Sequence, residues 1–352
     1  MANDPSETKR AWNSCFGHLP KVSRTFALAI DGLPEPLRGE VCVSYLLCRI
    51  LDTVEDSPGL GSGERWGLIE PVLSSLRGEG GLPERWFGEV EGRLAPGSSE
   101  GDLALLRDAP LVLGAFRSCR PSAKLATARW VTEMGKGMVL WSQLMGEDPA
   151  AVKSLRTMAD LDRYCYYIAG TVGYLLTDLF FIHSRHINQS LFYELQADAE
   201  AFGLGLQKVN IVKDLGDDLR RGWCFIPTAL LASEGIGPRA VDDPARSAEV
   251  YRAVRPVLET ARDHLQCAWR YLARVPVDER EIRLFLAYSL FFALETLALV
   301  AEDTEALTAP EKLKIGRMDV ARIVGECQLK VGDPSALARM HDRIARPLSE
   351  LP

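Results

Sequence analysis

The chain has 352 residues, of which 47% are hydrophobic and 25% are charged. This composition is that of an ordinary globular protein and excludes disordered, collagen-like and coiled-coil chains. The net charge of −7 argues against a nucleic-acid-binding protein, which would concentrate Lys and Arg for phosphate contacts. The eight cysteines are scattered without a C-x-x-C pair, which predicts reduced thiols in a cytosol and no zinc site.

The start of the chain and its most apolar segment bear on location. Met1–Arg10 is polar and lacks the apolar stretch of a signal peptide. The one candidate membrane span, Leu284–Val300, is short and contains Glu295, so we predict a buried core helix there. We therefore expect a cytoplasmic protein that has no transmembrane anchor and touches membranes only peripherally.

Apolar residues at helical spacing, three and four apart, dominate the chain. We predict an all-α protein with one domain over residues 1–352, whose core covers about residues 20–330 between polar tails. Ser23 is a candidate helix cap, and the small residues Ala169, Gly170 and Gly173 would let a neighbouring helix approach closely. In chain order, the predicted helices begin near Arg24 and then cover about Leu37–Asp56, Glu84–Arg93, Leu103–Phe116, Ala123–Met145, Asp148–Leu161, Gln189–Leu219, Ala248–Arg274, Asp278–Val300 and Met318–Gln328.

Two clusters of carboxylates, Asp52–Asp56 (DTVED) and Asp214–Asp218 (DLGDD), are the candidate reactive groups. Positions four apart in a helix differ by roughly 40° around the axis, so the first and last aspartates of each cluster share a face. Glu55 and Asp217 flank those faces. For either cluster alone, a solvated acidic surface is the favoured interpretation.

The surroundings of the clusters favour a site instead. Each cluster follows a strongly apolar helical segment, so each lies at the end of a buried helix rather than on a polar surface. Helical steps back from the second cluster extend it into a polar stripe, which must find partners or line a wet cavity. This stripe consists of Gln207, Asn210, Asp214 and Asp218.

The ligand types in the clusters predict the metal. Oxygen ligands without His or Cys select Mg²⁺ or Ca²⁺, and Mg²⁺ commonly combines a few carboxylates with waters and phosphate oxygens. Two such clusters facing each other could hold a diphosphate through bridging Mg²⁺ ions. Calcium storage is the weaker interpretation, because neither cluster has the ligand loop of an EF-hand.

Cations that can bind phosphate oxygens adjoin both clusters. Arg49 lies three residues before Asp52, and its alternative role is a salt bridge to Asp52 or Asp56. Lys213, Arg220 and Arg221 adjoin the second cluster. Together with metal ions, these cations would stabilise a departing diphosphate.

Five segments in series resemble the squalene/phytoene synthase family, and the chain is most similar to soluble bacterial-type squalene synthases. The resemblance covers roughly residues 20–230 and, more loosely, the rest. It implies an isoprenoid synthase fold, in which helices surround a central cavity and the two acid clusters face each other. The segments are SRTF (Ser23–Phe26), YLLCRILDTVED (Tyr45–Asp56), MGKGM (Met134–Met138), YCYYIAGTVG (Tyr164–Gly173) and LQKVNIVKDLGDD (Leu206–Asp218).

The resemblance also implies roles for individual residues. Tyr45 and Tyr167 are expected near the reacting carbons, and Phe26 and Gln207 along the cavity wall. With the flanking acids added, the expected metal-binding residues are Asp52, Glu55, Asp56, Asn210, Asp214, Asp217 and Asp218. The diphosphate-binding residues that the resemblance implies are Ser23, Arg24 and Arg49, of which Arg49 also acts in catalysis, and the adjoining cations Lys213 and Arg221 are added to this set. The expected NADPH-binding residues are Asn210, Lys314 and Arg317, and a solvated basic turn is an equally favoured interpretation of Lys314 and Arg317.

The implied reaction joins two farnesyl diphosphates head to head. Ionisation of the first gives an allylic cation, the double bond of the second attacks it, and proton loss closes the cyclopropane of presqualene diphosphate. A second ionisation, a rearrangement and hydride from NADPH then give squalene. One alternative is a phytoene or dehydrosqualene synthase, which needs no hydride. A second alternative is a non-catalytic relative that acts as a scaffold or assembly factor.

Trp223 departs from the family's pattern, which has an Arg directly after the residue matching Gly222. The change removes one expected contact to diphosphate or cofactor, which Arg220 or Arg221 could replace. No G-x-G-x-x-G sequence follows a strand, so NADPH would need a groove other than a Rossmann site.

Overall fold

The computed structural model describes residues 5–57, 59–86, 88, 91–94, 98–145, 151–309 and 313–350, apart from the side chains of Arg24, Ser349 and Glu350. Contacts between Cα atoms divide the chain into two compact units. The first consists of Met1–Glu147 and Tyr174–Arg185, and the second of Asp148–Gly173 and His186–Pro352. The single domain over residues 1–352 stays a prediction.

The first unit is built around helix α3 (Leu37–Glu55), in which fifteen of nineteen residues are buried. A helix that is apolar on most of its circumference belongs in a core, and its neighbours pack around it. Those neighbours are α1 (Pro5–Val22), α2 (Arg24–Asp31), α4 (Ser62–Arg77), α6 (Glu100–Arg107), α7 (Ala109–Ser118) and α8 (Pro121–Leu144). The short helix α5 (Glu91–Leu94) lies between α4 and α6 in the chain.

The second unit is built around buried segments of α11 (Gln189–Lys213) and α15 (Arg280–Glu302). Both pack against the long helix α14 (Ser247–Arg274). The remaining helices are α9 (Met158–Cys165), a π-helix (Tyr166–Gly170), α10 (Thr171–His183), α12 (Leu215–Arg220), α13 (Thr228–Ser233), α16 (Arg317–Lys330) and α17 (Pro334–Ala345). Residues of α10 from Tyr174 onward belong to the first unit.

Among the described residues, two helical stretches are long and apolar enough to span a bilayer, although length and composition alone place neither in a membrane. The apolar window of Arg280–Glu302 is 72% buried, and its Glu295 accepts a hydrogen bond from Arg322 of α16. The buried core helix predicted over Leu284–Val300 is therefore confirmed. The apolar window of the second stretch, Met158–His183, is 39% buried, and this stretch was not predicted as a candidate span.

Most predicted helices are confirmed, but four are broken or shortened in the structure. The helix predicted over Leu103–Phe116 is broken at Asp108, because Pro110 in the first turn of α7 has no N–H to continue the earlier helix. The helix predicted over Gln189–Leu219 is broken at Asp214, whose φ of −105° and ψ of 15° are not helical. Of the helix predicted near Glu84–Arg93, only Glu91–Leu94 forms in the described part.

The helix predicted over Asp148–Leu161 is wrong over residues 151–157, and only Met158–Leu161 is helical, as the start of α9. Lys153–Ser154 forms strand β1, which pairs in parallel with β2 (Trp223–Cys224), and residues 146–150 lie outside the described ranges. Helix α9 begins only after Thr157, whose hydroxyl accepts a hydrogen bond from the Asp160 N–H at 3.2 Å. The T-x-x-D pattern of this capping box was the available signal.

The predicted polar tails contain packed helices. Helix α1 buries Ala11, Cys15, His18 and Leu19, and α17 buries Leu337, Met340, His341 and Ile344. Both sets recur at helical spacing on one face, so each short amphipathic helix is stabilised by docking that face. The core therefore extends beyond residues 20–330.

Candidate active site

Three residues predicted for the substrate pocket lie together in the first unit. The Ser23 hydroxyl caps α2 by accepting a hydrogen bond from the Phe26 N–H at 3.1 Å, and it also hydrogen-bonds with Tyr45. The Phe26 and Tyr45 rings lie 5.3 Å apart. Burial raises the pKa of Tyr45 to about 12, so its hydroxyl stays protonated at neutral pH and can donate a hydrogen bond.

Arg49 pairs with a residue that the sequence did not single out. Its Nε lies 2.8 Å from Oδ1 of Asp102, a carboxylate that is 5% exposed. Although burial opposes its charge, the hydrogen bond to Asp102 and the nearby Asp52 raise the pKa of Arg49. The partner is thus Asp102 rather than Asp52 or Asp56. The S-x-x-D capping box at Ser99 marks the start of α6, but no local pattern predicts a contact over 53 positions.

The first acid cluster occupies the last turn of α3. Glu55 is 3% exposed, whereas Asp52 and Asp56 are half-buried. Burial, with Asp56 and Asp102 nearby, raises the pKa of Asp52 to about 7 against the effect of Arg49. Burial and the neighbouring aspartates also raise the pKa of Glu55 well above its usual value. Three carboxylates at the negative end of a helix repel one another, so the cluster favours a cation or a proton.

The second acid cluster lies where α11 meets α12. Backbone hydrogen bonds run from Asp214 N–H to Asn210 and from Asp218 N–H to Asp214, at 2.9 and 2.8 Å. The four-residue steps of the predicted stripe therefore continue through the break at Asp214. Gln207 and Asp214 are half-buried, Asp218 is 6% exposed, and Asn210 is exposed.

Each acid of the second cluster contacts a cation close by in the chain. Lys213 Nζ lies 3.4 Å from Asp214 Oδ2 and donates to Asn210 Oδ1 at 3.2 Å. Arg220 pairs with Asp217, and Arg221 pairs with Asp218. The predicted grouping of cations and acids is thus present here, in a form that phosphate oxygens could compete for.

Tyr167 lies in the π-helix, a type of helical irregularity that is frequent at functional sites. Its ring lies 5.0 Å from that of Tyr166 in an edge-on arrangement. The π-helix and α11 approach each other through main-chain atoms: a Cβ on Gly203 would lie 2.1 Å from the carbonyl oxygen of Ala169. A Cβ on Gly173 would lie 2.0 Å from that of Ala199. The close approach predicted from these small residues is confirmed.

Lys208 is a buried cation that adjoins the polar stripe and was not predicted from the sequence. Its side chain is fully buried in α11, with Nζ 2.6 Å from Asp162 Oδ1 of α9. Nζ also donates to Thr260 Oγ1 of α14 at 2.9 Å. A buried charge is tolerated only when it is paired and hydrogen-bonded, so this ammonium fixes three helices at one point. Lys is seldom fully buried, and no local pattern predicts it here.

His264, beside Lys208, is expected to make stability fall in acid. Burial and the Lys208 charge lower the pKa of His264 to about 4, against the opposing effect of Asp162 and Asp263. The unfolded chain takes up this proton near pH 6.5 and the folded chain only near pH 4, so the free energy of unfolding decreases as the pH drops through that window. Urea unfolding at pH 7 and pH 5 should show a smaller loss for His264→Gln than for the wild type. Equal losses would contradict the assignment.

The predicted cofactor segment is separate from these contacts. Lys314 and Arg317 are exposed, and Arg317 begins α16. Trp223 is 4% exposed and stacks on Phe225 at 5.7 Å, which in turn stacks on Tyr164 at 4.8 Å. The Lys153 ammonium lies 4.8 Å from the Trp223 ring centre, so the indole holds a cation where the family has an Arg.

The donors present suit Mg²⁺ better than a metal held by protein alone. Among the described residues, no three His, Cys, Asp or Glu side chains converge on one point. Mg²⁺ needs few protein carboxylates because waters and substrate phosphates complete its shell. Within the described part, the buried Oε1 of Glu55 accepts no hydrogen bond, and the side chain of Glu55 hydrogen-bonds to Asp56. These crowded acid oxygens at the end of α3 fit a divalent cation.

A family model described as squalene/phytoene synthase matches residues 19–319, which include both acid clusters and all five resembling segments. The chain belongs to the squalene/phytoene synthase family. Members of this family are enzymes of the prenyltransferase type, so the predicted family and enzyme class are confirmed.

Two of the curated proteins similar to this family member are squalene synthases. A squalene synthase of Saccharomyces cerevisiae is 30% identical over 302 residues, which cover 86% of this chain and 64% of the relative. A squalene synthase of Eremothecium gossypii is 27% identical over 313 residues, which cover 89% and 67%. The chain thus spans about two thirds of the length of the curated relatives it matches.

Solved structures with a similar fold confirm the all-α fold class of this family member. The complex of TcSQS with the ligand E5700 superposes with a TM-score of 0.76 at 24% identity, covering 96% of both chains. A dehydrosqualene synthase in complex with a ligand superposes with a TM-score of 0.64 at 19% identity, covering 93% of this chain and 98% of the other. The roles of individual site residues stay predictions.

Proposed function

We propose that this protein catalyses the Mg²⁺-dependent head-to-head condensation of two farnesyl diphosphates through presqualene diphosphate, followed by NADPH reduction to squalene. The observation that carries the proposal is the crowding of acids at the ends of α3 and α11, beside cations suited to phosphate oxygens. The squalene synthases among the similar relatives support the choice of product.

In this proposal, bound Mg²⁺ would supply positive charge to the diphosphate as it leaves the allylic carbon. The first cluster would bind Mg²⁺ through Asp52, Glu55 and Asp56. The second cluster would bind Mg²⁺ through Asn210, Asp214, Asp217 and Asp218. Ser23, Arg24, Arg49, Lys213 and Arg221 would bind the diphosphate oxygens, and an Arg would retain its charge at every relevant pH.

The tyrosines and the cavity wall would act on the carbon skeleton. With its pKa raised to about 12, Tyr45 is a hydrogen-bond donor at neutral pH, and its ring face can stabilise an adjacent carbocation. Tyr167 would act similarly from the π-helix. Phe26 and Gln207 would line the cavity and, with the apolar helices around them, exclude water from the cation.

Asn210, Lys314 and Arg317 are the residues that we propose bind NADPH. The Trp223–Lys153 pair in place of an Arg favours a second candidate, a dehydrosqualene or phytoene synthase that takes no hydride. A non-catalytic scaffold is disfavoured, because such a protein could lose its acids and all of them are retained here. We propose a cytoplasmic location, with peripheral membrane contact for release of the hydrocarbon.

Product analysis tests the proposal directly. The purified protein is incubated with Mg²⁺ and either farnesyl or geranylgeranyl diphosphate, with and without NADPH. Diphosphate products are converted to alcohols with a phosphatase, and all products are identified by gas chromatography and mass spectrometry. We expect squalene with NADPH, presqualene diphosphate or dehydrosqualene without it, and no product in EDTA. Dehydrosqualene under both conditions would select the second candidate, and a C40 product from geranylgeranyl diphosphate alone would select a phytoene synthase. No C30 or C40 product under any condition would contradict the proposed activity.

A further inference from the structure

Arg65 of α4 is among the most deeply buried side chains of the first unit, at 1% exposure. Its Nε donates to the carbonyl oxygen of Glu55 at 3.0 Å. One terminal nitrogen donates to the carbonyl oxygen of Ser57 at 2.5 Å, and the other to Oγ of Ser142 at 2.9 Å. A single planar group therefore joins the end of α3, the loop after it and α8.

The position of these acceptors connects Arg65 to the first acid cluster. The last four carbonyls of a helix have no partner within the helix, and Glu55 supplies one of them at the end of α3. Asp56 follows directly as the C-terminal cap, with its N–H bonded to the Asp52 carbonyl at 2.8 Å. Because the guanidinium has fixed geometry, it sets the direction of the main chain on both sides of Asp56.

The charge of Arg65 acts in the same place. Asp52, Glu55 and Asp56 put three carboxylates at the helix end where the peptide dipoles are already negative. A guanidinium bonded to the carbonyl of Glu55 offsets this field from the protein interior. The carboxylates can then lie close together before a metal arrives.

We propose that Arg65 is a positioning residue for metal binding: it fixes the last turn of α3 and the following loop, so that Asp52 and Asp56 present their oxygens in the spacing that a divalent cation needs. This inference rests on the proposed function, in which the first cluster binds Mg²⁺. Arg65 itself touches neither metal nor substrate in this account.

Arg283 of α15 provides a matched control. It is 2% exposed and likewise donates to main-chain carbonyls, those of Val331 at 3.0 Å, Leu272 at 3.1 Å and Val275 at 2.5 Å. None of these acceptors belongs to either acid cluster. Arg283→Lys removes the same kind of buried fork and keeps the charge, but it leaves the end of α3 unchanged.

The test compares Arg65→Lys, Arg283→Lys and the wild type. Mn²⁺ binding is measured by electron paramagnetic resonance in the presence of inorganic pyrophosphate and without prenyl substrate. The melting temperature and the Mg²⁺ concentration that gives half-maximal turnover are measured separately. Both variants should melt earlier. Only Arg65→Lys should weaken Mn²⁺ binding and raise the Mg²⁺ requirement, by about tenfold, since residues that orient metal ligands are typically worth 10- to 100-fold in affinity.

Ser142→Ala serves if Arg65→Lys does not fold, because it removes one acceptor and retains the guanidinium. It should weaken Mn²⁺ binding about threefold, a smaller loss since two of the three contacts remain. If every folded variant at Arg65 and Ser142 binds Mn²⁺ within 1.5-fold of the wild type, this inference is overturned and the proposed function is not. An equal weakening in Arg283→Lys would overturn it too, as a general stability effect. A wild type that binds no Mn²⁺ and shows no Mg²⁺-dependent turnover would overturn the proposed function together with it.

Discussion

Replacing Asp52 or Asp214 with asparagine is expected to lower kcat by about 10³-fold while the protein remains folded. Each substitution removes a proposed metal ligand and its charge without changing side-chain volume. Turnover of farnesyl diphosphate is measured at saturating Mg²⁺, with circular dichroism to verify folding. Asp342→Asn is the control, because that carboxylate is 79% exposed and lies in α17 outside both clusters. Near-normal turnover in both cluster variants would rule out the metal mechanism.

The same Asp52→Asn variant should be as stable as the wild type or more stable at pH 8. Burial raises the pKa of Asp52 to about 7 in the folded protein, above its value of 3.8 in the unfolded chain. The unfolded chain loses this proton near pH 3.8 and the folded chain only near pH 7, so the free energy of unfolding falls as the pH rises through that window and the penalty is complete at pH 8. A neutral amide avoids that penalty. An earlier melt at pH 8 would show that the acid contributes to folding rather than only to function.

Gly203→Ala is expected to destabilise the protein by about 3 kcal/mol or more, since overpacking that must move main chains lies at the upper end of such effects. The new Cβ would lie 2.1 Å from the Ala169 carbonyl oxygen and 2.5 Å from its carbon. No side chain can rotate away to make room, so α11 and the π-helix must separate. Turnover should fall as well, because α11 carries Asn210 and leads into Asp214.

Gly67→Ala in α4 is the matched control for that substitution. Gly67 is exposed, and a Cβ there meets no atom within 4 Å. Alanine is favoured over glycine inside a helix by roughly 0.5–1 kcal/mol, so this variant should be slightly more stable. Urea unfolding of both variants gives the comparison. A loss below about 1 kcal/mol for Gly203→Ala would show that the two helices tolerate separation.

The helical architecture was predictable because apolar periodicity acts over a few residues. The start of α2 follows from its Ser23 cap, and the ends of α3 and α14 follow from apolar spacing. The break at Asp214 was not predictable in this way, because the four-residue hydrogen-bonded steps continue on both sides of it and the residues are the same types. The amphipathic helix α1 was missed although its pattern was present, since the polar start of the chain suggested a tail.

The residues of the candidate site also fall into two groups, those that could be predicted from the sequence and those that could not. Groups on one helix, such as Tyr45, Arg49 and Asp52, could be predicted to share a face from their numbering alone. The partners that orient them could not. Asp102 on Arg49 and Ser142 on Arg65 lie 53 and 77 positions away, and only the packing of separate helices joins them.

The main-chain contact between α11 and the π-helix also bears on how this enzyme could diversify. A contact between carbonyl oxygens and glycine Cα atoms contains no side chain for mutation to vary, so it is the same for any sequence that retains Gly173 and Gly203. Neighbouring side chains such as Leu204 and Glu200 can then change without shifting the position of α11. Substitutions in these side chains could in this way change the length of the product. Asn210 and Asp214 would meanwhile keep their positions at the end of α11.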